Sequence, residues 1–270
     1  MLDTLPTQTR QRVTGRGAIG LGKRIRDLHQ SGAAKVFLPR VHDATTEVVF
    51  LNTAGGLTGG DRLAYQLDLD AGAHALATTQ TAERAYASSA GHADLRVDLN
   101  VAENARLDWL PQETILFDQS ALMRETRVSL AKTSRFLFVE TVVLGRAAMG
   151  ETLASVRFWD RRLIHRAGVP VFVEPLGIDT DVLNRRGNPA ILGGARAFAT
   201  VGFFAPDAET ALAPVRQALN HDGVQAAVSA WDGKLILRAL AGDGFPLRRQ
   251  IARVLEILRQ GPLPRVWQEK

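Results

Sequence analysis

The sequence predicts a mainly β protein, a stacked or solenoid-like β-sheet body followed by a small C-terminal α+β portion containing two helices, and three observations lead there. Through the first two thirds of the chain, apolar and polar residues alternate with period two, as half-buried strands require because successive side chains point to opposite sheet faces. Turn-forming clusters separate these stretches at spacings typical of an all-β body. Three short apolar-polar-apolar triplets, Leu67-Asp68-Leu69, Val97-Asp98-Leu99 and Val128-Ser129-Leu130, recur at about thirty residues, each followed by a turn and another apolar strand. Such a period suggests stacked strand pairs, although three short matches between ordinary strands also arise by chance.

Each element can be read in turn. Leu63, Tyr65, Leu67 and Leu69 alternate with Ala64, Gln66 and Asp68, and Leu95, Val97, Leu99 and Val101 alternate with Arg96, Asp98 and Asn100. The run from Arg135 to Leu144 is long and apolar enough for a buried strand. Ala71-Gly72-Ala73, Ala90-Gly91-His92, Glu103-Asn104, Leu110-Pro111 and Lys132-Thr133-Ser134 supply the turns. The body spans residues 1–205, with a basic N-terminal arm over 1–40, and the pattern changes over 206–270. There Asp207 is placed as an N-cap before Ala211, Leu212, Val215, Ala218 and Leu219 at helical spacing, and Asp222-Gly223 closes the segment. A hairpin follows, Val224 to Val228 and Leu235 to Leu240 around Asp232-Gly233. A second helix places Leu247, Ile251, Val254, Leu255 and Leu258 on one face, with Gly261-Pro262 stopping it.

Composition narrows the function. The chain has 270 residues, 46% of them hydrophobic, enough for a sizeable core. It has no cysteine, so disulfides and thiolate metal sites are excluded and the cytoplasm fits best. No stretch approaches the length of a membrane span, and Met1 to Gln30 lacks a continuous apolar leader segment. The net charge of +5 is uneven, with eight Lys or Arg residues before Val41 and an acidic stretch from there to Asn100. The basic residues are scattered, and few aromatics interleave with them as stacking on single strands would need, which argues against nucleic acid. The six histidines lie far apart, with no pair at zinc-ligand spacing. No nucleophile elbow or recognisable triad is present.

The densest motif is Asn52-Thr53-Ala54-Gly55-Gly56-Leu57-Thr58-Gly59-Gly60-Asp61, directly after the strand Val48 to Leu51. Gly55 and Gly60 have the glycine spacing of a phosphate loop, but Asp61-Arg62 stands where its lysine and hydroxyl residue belong, and an acid there repels phosphate. The simpler alternative is a tight bend in which glycines permit close backbone approach.

This loop and the segments after it resemble the UreD family (UreH in some bacteria) of urease accessory proteins. The resemblance runs through Thr78-Thr79-Gln80-Thr81-Ala82-Glu83-Arg84-Ala85-Tyr86 and Leu107-Asp108-Trp109-Leu110-Pro111-Gln112-Glu113-Thr114-Ile115-Leu116-Phe117 to Leu144-Gly145-Arg146-Ala147-Ala148-Met149-Gly150-Glu151, and it ends with Pro264-Arg265-Val266-Trp267. It is loose from about Gly168 to Ala205. Gly55, Gly56, Gly59, Gly60, Gln80, Arg146 and Glu151 are the motif positions singled out.

The resemblance implies a non-catalytic member of the nickel-insertion machinery, with UreF and the GTPase UreG as partners and apo-urease as the docking target. It implies no tightly bound cofactor, only nickel in transit along a water-filled internal route, with Asp61 and Glu140 as acidic positions on it. Carboxylate, carbonyl and water ligands hold nickel loosely enough to release it. For Asp61, a turn acid bonded to nearby N–H groups is the competing reading. Glu140 interrupts the apolar run Phe136 to Leu144, where a charge demands a partner, such as Arg146, or an aqueous cavity. Trp109, Phe117, Phe158, Trp159 and Trp267 are the aromatic candidates for partner contacts. Two alternatives remain open at this stage: a hydrolase using the glycine loop with Asp61 as base, and a β-sheet binding module for an acidic ligand.

Overall fold

The computed structural model describes residues 12–40, 45–146 and 150–268. The start of the basic arm and Ala147-Ala148-Met149 of the family-like segment lie outside the described residues. The rest forms two facing sheets wound as a coil, and the strand alternation explains why. The first sheet consists of β1 (Thr14–Leu21), β2 (Ile25–Gly32), β5 (Arg62–Leu69), β8 (Ala93–Val101), β11 (Ser120–Leu130), β13 (Val156–Arg166) and β14 (Val169–Ile178). The second comprises β3 (Ala34–Phe37), β4 (Thr46–Asn52), β6 (His74–Thr79), β9 (Arg106–Trp109), β12 (Arg135–Leu144), β15 (Ala197–Phe204), β16 (Val224–Trp231) and β17 (Lys234–Ala241). Two short strands, β7 (Glu83–Ala85) and β10 (Thr114–Leu116), pair in parallel and join the second sheet through β12.

Between β5 and β11 the chain passes from first sheet to second, then to a short strand, and back, so each circuit lays a new strand parallel to the previous one. The near-thirty-residue echo marks these circuits, with one adjustment of register. Leu67 pairs with Leu99 and Leu99 with Val128, so Val97-Asp98-Leu99 sits two residues out of line with the other two triplets. A two-residue offset keeps side-chain parity, and the same face stays inward. Leu67, Leu99, Val128, Ile164 and Phe172 therefore form one buried row across five strands. Opposite this row, Phe136 and Phe138 of β12 pack with Phe172 and Phe204, ring centroids about 6 Å apart.

β12 occupies the predicted Arg135–Leu144, and the C-terminal hairpin forms around Asp232 and Gly233, both at positive φ. The hairpin extends the second sheet through β15, and α2 (Leu212–Ala218) and α3 (Gly244–Arg259) pack around a second apolar cluster with it. A short helix, α1 (Thr180–Asn184), was not foreseen; Asp179 caps it by accepting from the Val182 amide. Asp207 does not cap with its side chain. It precedes a 3₁₀ turn, Ala208–Ala211, and its carboxylate pairs with Arg135 at 2.7 Å instead. The apolar face of α3 is as expected: Leu247, Ile251, Val254, Leu255 and Leu258 are all buried. Its last cap is Gln260 in the left-handed region, one residue before the glycine expected to end it.

The buried row makes the fold testable. Leu99→Ala should cost about 2–5 kcal/mol in urea unfolding, the penalty for a leucine cavity in a packed core, whereas Ser129→Ala on the outward face of β11 should change stability by no more than about 0.5 kcal/mol.

Candidate functional site

Side-chain parity also carries charge into the interior. On β11, Arg124 and Thr126 share the inward face with Leu122 and Val128; on β13, Asp160 and Arg162 share it with Phe158 and Ile164. Arg124 and Asp160 are directly opposite in the parallel ladder, as are Thr126 and Arg162, and Arg162 faces Glu174 of β14. From the second sheet, β12 contributes Glu140, and the row through Glu140 and Thr200 runs on to Arg238 of β17.

These groups form one network. Arg124 donates Nε to Asp160 Oδ1 at 2.9 Å and Nη2 to Asp160 Oδ2 at 2.7 Å, and its Nη1 reaches Thr114 Oγ1 at 3.0 Å. Arg162 donates to Asp160 at 2.5 Å and to Glu174 at 2.6 Å, and Arg238 closes on the other oxygen of Glu174 at 2.5 Å. Glu140 accepts from Thr126 Oγ1 at 2.8 Å through Oε1. Its Oε2 lies 2.9 Å from Arg124 Nη2 and 3.1 Å from Arg162 Nε, yet is aligned for a hydrogen bond with neither. Three carboxylates thus balance three guanidinium groups. The interior members are sealed, with Glu140 3% and Asp160 2% exposed, while Arg238 opens to solvent.

The two central acids respond oppositely. Burial alone would raise Asp160, but the charges of Arg124 and Arg162 and their hydrogen bonds overcome it and hold the carboxyl down at about 2. For Glu140 burial wins: the same arginines are already engaged by Asp160, whose own charge repels it, and its carboxyl is pushed up. Glu140 is therefore the network's least satisfied carboxylate.

Glu140 thus has a charged partner, though not the one the sequence suggested. Arg146 lies across the ring of Phe117 at 4.7 Å and pairs with Glu151, whose Oε2 accepts from the Arg146 amide at 2.9 Å and its Nε at 3.1 Å. This pairing lies just after β12, where Gly145 takes positive φ.

The glycine loop lies apart. Asp61 is buried, and its two oxygens accept from the amides of Val13 and Thr58, both at 2.8 Å. Among the described residues it shares no hydrogen-bond or ion-pair partner with Glu140, and neither acid lines the cavities beside Trp159, Glu83, Arg259, Arg62 or Phe245. Gly55 and Gly60 take positive φ. Gly59 permits close approach, since a Cβ there would fall 2.0 Å from Ser88 Oγ and 2.1 Å from Ala90 O. Leu57 bonds to the backbone of Arg84 and Tyr86, so the loop docks against β7. Gln80 is exposed, with its amide donating to Phe50 O at 3.0 Å.

Sequence reasoning singled out neither Arg124, Asp160, Arg162 and Glu174 nor Glu83. Glu83 sits inside the family-like segment and points inward beside Thr114 in the β7–β10 ladder. Both its oxygens accept from Asn52 Nδ2, at 3.1 and 3.3 Å, and the Asn52 side chain also bonds Gly56 O and the Ala54 amide. The loop is thereby tied to an interior carboxyl that burial pushes up to about 7. Among the described residues, no group of three or more His, Asp and Glu side chains is arranged to hold a metal ion, and no helix is long and apolar enough to cross a membrane.

Comparison with known proteins adds an independent finding. The model of the UreD urease accessory protein family matches residues 9–268. The chain is 54% identical to a Cereibacter sphaeroides protein named urease accessory protein UreD, over 98% of each chain. It is 55% identical to the one of Dinoroseobacter shibae, covering 96% of this chain and 93% of that one. For the one of Paracoccus denitrificans, identity is 49% over 99% and 96%.

Glu83 sets a pH dependence of stability. Its folded value of about 7 exceeds the ordinary glutamate value, so the folded chain binds the proton more tightly and loses stability as pH rises from about 5 to 8. Glu83→Gln should flatten that slope and raise the unfolding free energy at pH 8 by up to roughly 3 kcal/mol, measured by denaturant titration across the range.

Proposed function

Because the chain belongs to the UreD family of urease accessory proteins, we propose that it assists urease maturation as a non-catalytic scaffold for nickel insertion, with UreF and the GTPase UreG as partners, apo-urease as docking target, and the cytoplasm as its place of work. In this reading it holds no resident cofactor; nickel is cargo.

The observation that supports an interior role is Glu140 Oε2, a buried carboxylate oxygen near two guanidinium groups but hydrogen-bonded to neither. A buried charge in that state gains from any cation that approaches it. In the isolated chain Arg124 and Arg162 supply the positive charge. During transfer, a nickel ion would take over part of that role while Asp160 keeps both arginines in place. Oxygen ligands suit such a step because they bind nickel less tightly than imidazole or thiolate and let it leave. Asp61 is the second acid assigned to the route; its oxygens, occupied by Val13 and Thr58 amides, suit it to supporting the glycine loop rather than to holding the ion. That same occupation makes Asp61 a poor general base, which weighs against a hydrolase built on the loop.

Glu140→Gln preserves shape and the Thr126 contact while removing the charge. Urease matured with this variant at limiting nickel should contain several-fold less metal, while affinity pull-downs recover UreF and UreG as with the parent chain. Unchanged nickel content would remove Glu140 from the route.

A further inference from the structure

A second concentration of positive charge lies on the outer side of the second sheet, away from the Glu140 network. His74, Arg106 and Arg135 start β6, β9 and β12 in parallel register, so three basic side chains stand side by side. Such rows are unfavourable without counter-charges. Arg135 has its own, Asp207. Arg106 turns instead toward the end of α3, where Nη2 donates to the carbonyls of Leu258 at 3.4 Å and Arg259 at 3.0 Å, and Nε lies 3.3 Å from Asp108 Oδ1. Arg259, from the last turn of α3, reaches the other oxygen of the same carboxylate at 2.9 Å. One acid is thus divided between two guanidinium groups.

The deficit is visible in a single atom. The Arg259 side chain is only 7% exposed, and its Nη1 is buried with no acceptor. Glu47 lies within electrostatic reach of Arg259 but, among the described residues, makes no ion pair with it. Arg259, Arg106, His74 and the Gln260 to Pro262 segment line, together with Asp108, a recess of about 220 Å³, room for a small anion with some of its water; the single Asp108 carboxylate is set against two guanidinium groups, which leaves the lining positive. A buried guanidinium donor with nothing to bond costs free energy that an oxygen acceptor would recover. We propose that this recess binds a small oxyanion of the phosphate or carboxylate class, held by the free edge of Arg259, with Arg106 and the exposed imidazole of His74 alongside. Guanidinium geometry suits either class, because its N–H groups pair with two oxygens at once. The site is independent of the nickel reading and stands or falls without it.

The test is calorimetric titration of the full chain with inorganic phosphate and with formate, using chloride at matched ionic strength as the control. Saturable heat with phosphate or formate beyond chloride is expected, and the tighter of the two identifies a tetrahedral or a planar ligand. Arg259→Lys, which keeps the charge but loses the fork, should weaken binding about tenfold, and His74→Ala, at an exposed position, should weaken it less. Arg259→Met should abolish it; should that variant not fold, the lysine and alanine variants decide. No saturable binding beyond chloride means that the Arg259 donor stays unpaired and overturns the proposal. Undiminished affinity in both Arg259→Lys and His74→Ala overturns it equally.

Discussion

Two parallel hydrogen bonds from the Arg124 guanidinium to Asp160 join neighbouring strands of one sheet inside the protein, and the other buried charges are arranged around that fork. Taking an isolated ion out of water costs several kcal/mol, more than any one contact here returns. The arrangement is tenable because positive and negative groups match and most of their hydrogen-bonding capacity is used. Arg124 crosses to Thr114 and Glu140 of the other sheet, and Arg162 and Glu174 carry the chain of contacts to Arg238 at the surface. The two sheets are therefore joined by charge as well as by apolar packing.

The interior divides accordingly. One part holds the aromatic cluster of Phe136, Phe138, Phe172 and Phe204; two residues further along β12 the inward position is Glu140, and polar side chains take over. Thr114 and Glu83 continue that polar strip along the short strands toward Asn52 and the glycine loop. Three of the family-like segments, those holding Asn52, Glu83 and Thr114, thus meet along one seam. A fold whose circuits stack in register can line up chemically similar positions from distant parts of the chain. Here it brings together residues from several strands, some of them separated by more than eighty positions.

Much of this was legible beforehand. Strict alternation in 63–69 and 95–101 placed β5 and β8, and the long apolar run placed β12. Glu140 stood out because a lone charge in such a run needs an answer. The identity of the answer was not legible: Arg146 is near in sequence, while Arg124 and Arg162 are near only because the coil sets β11 between β8 and β13. One available signal went unused. In 156–164 the even positions are Val156, Phe158, Asp160, Arg162 and Ile164, so parity alone puts an acid and a base on an apolar face. Asp61 took the turn-acid geometry that residues after a glycine loop favour, and Asp207 exchanged its capping role for an ion pair with a strand no local rule could bring near.

The central claim is that the buried charges act as a unit, each tolerated because the others are present. A double-mutant cycle on Arg124→Met and Asp160→Leu, followed by equilibrium unfolding, measures this directly. Each single change should destabilise by about 3–5 kcal/mol by leaving its partner unpaired, and the double change by at least about 2 kcal/mol less than their sum. Additive losses would contradict the account, because they would mean that each group is stabilised separately and no network exists.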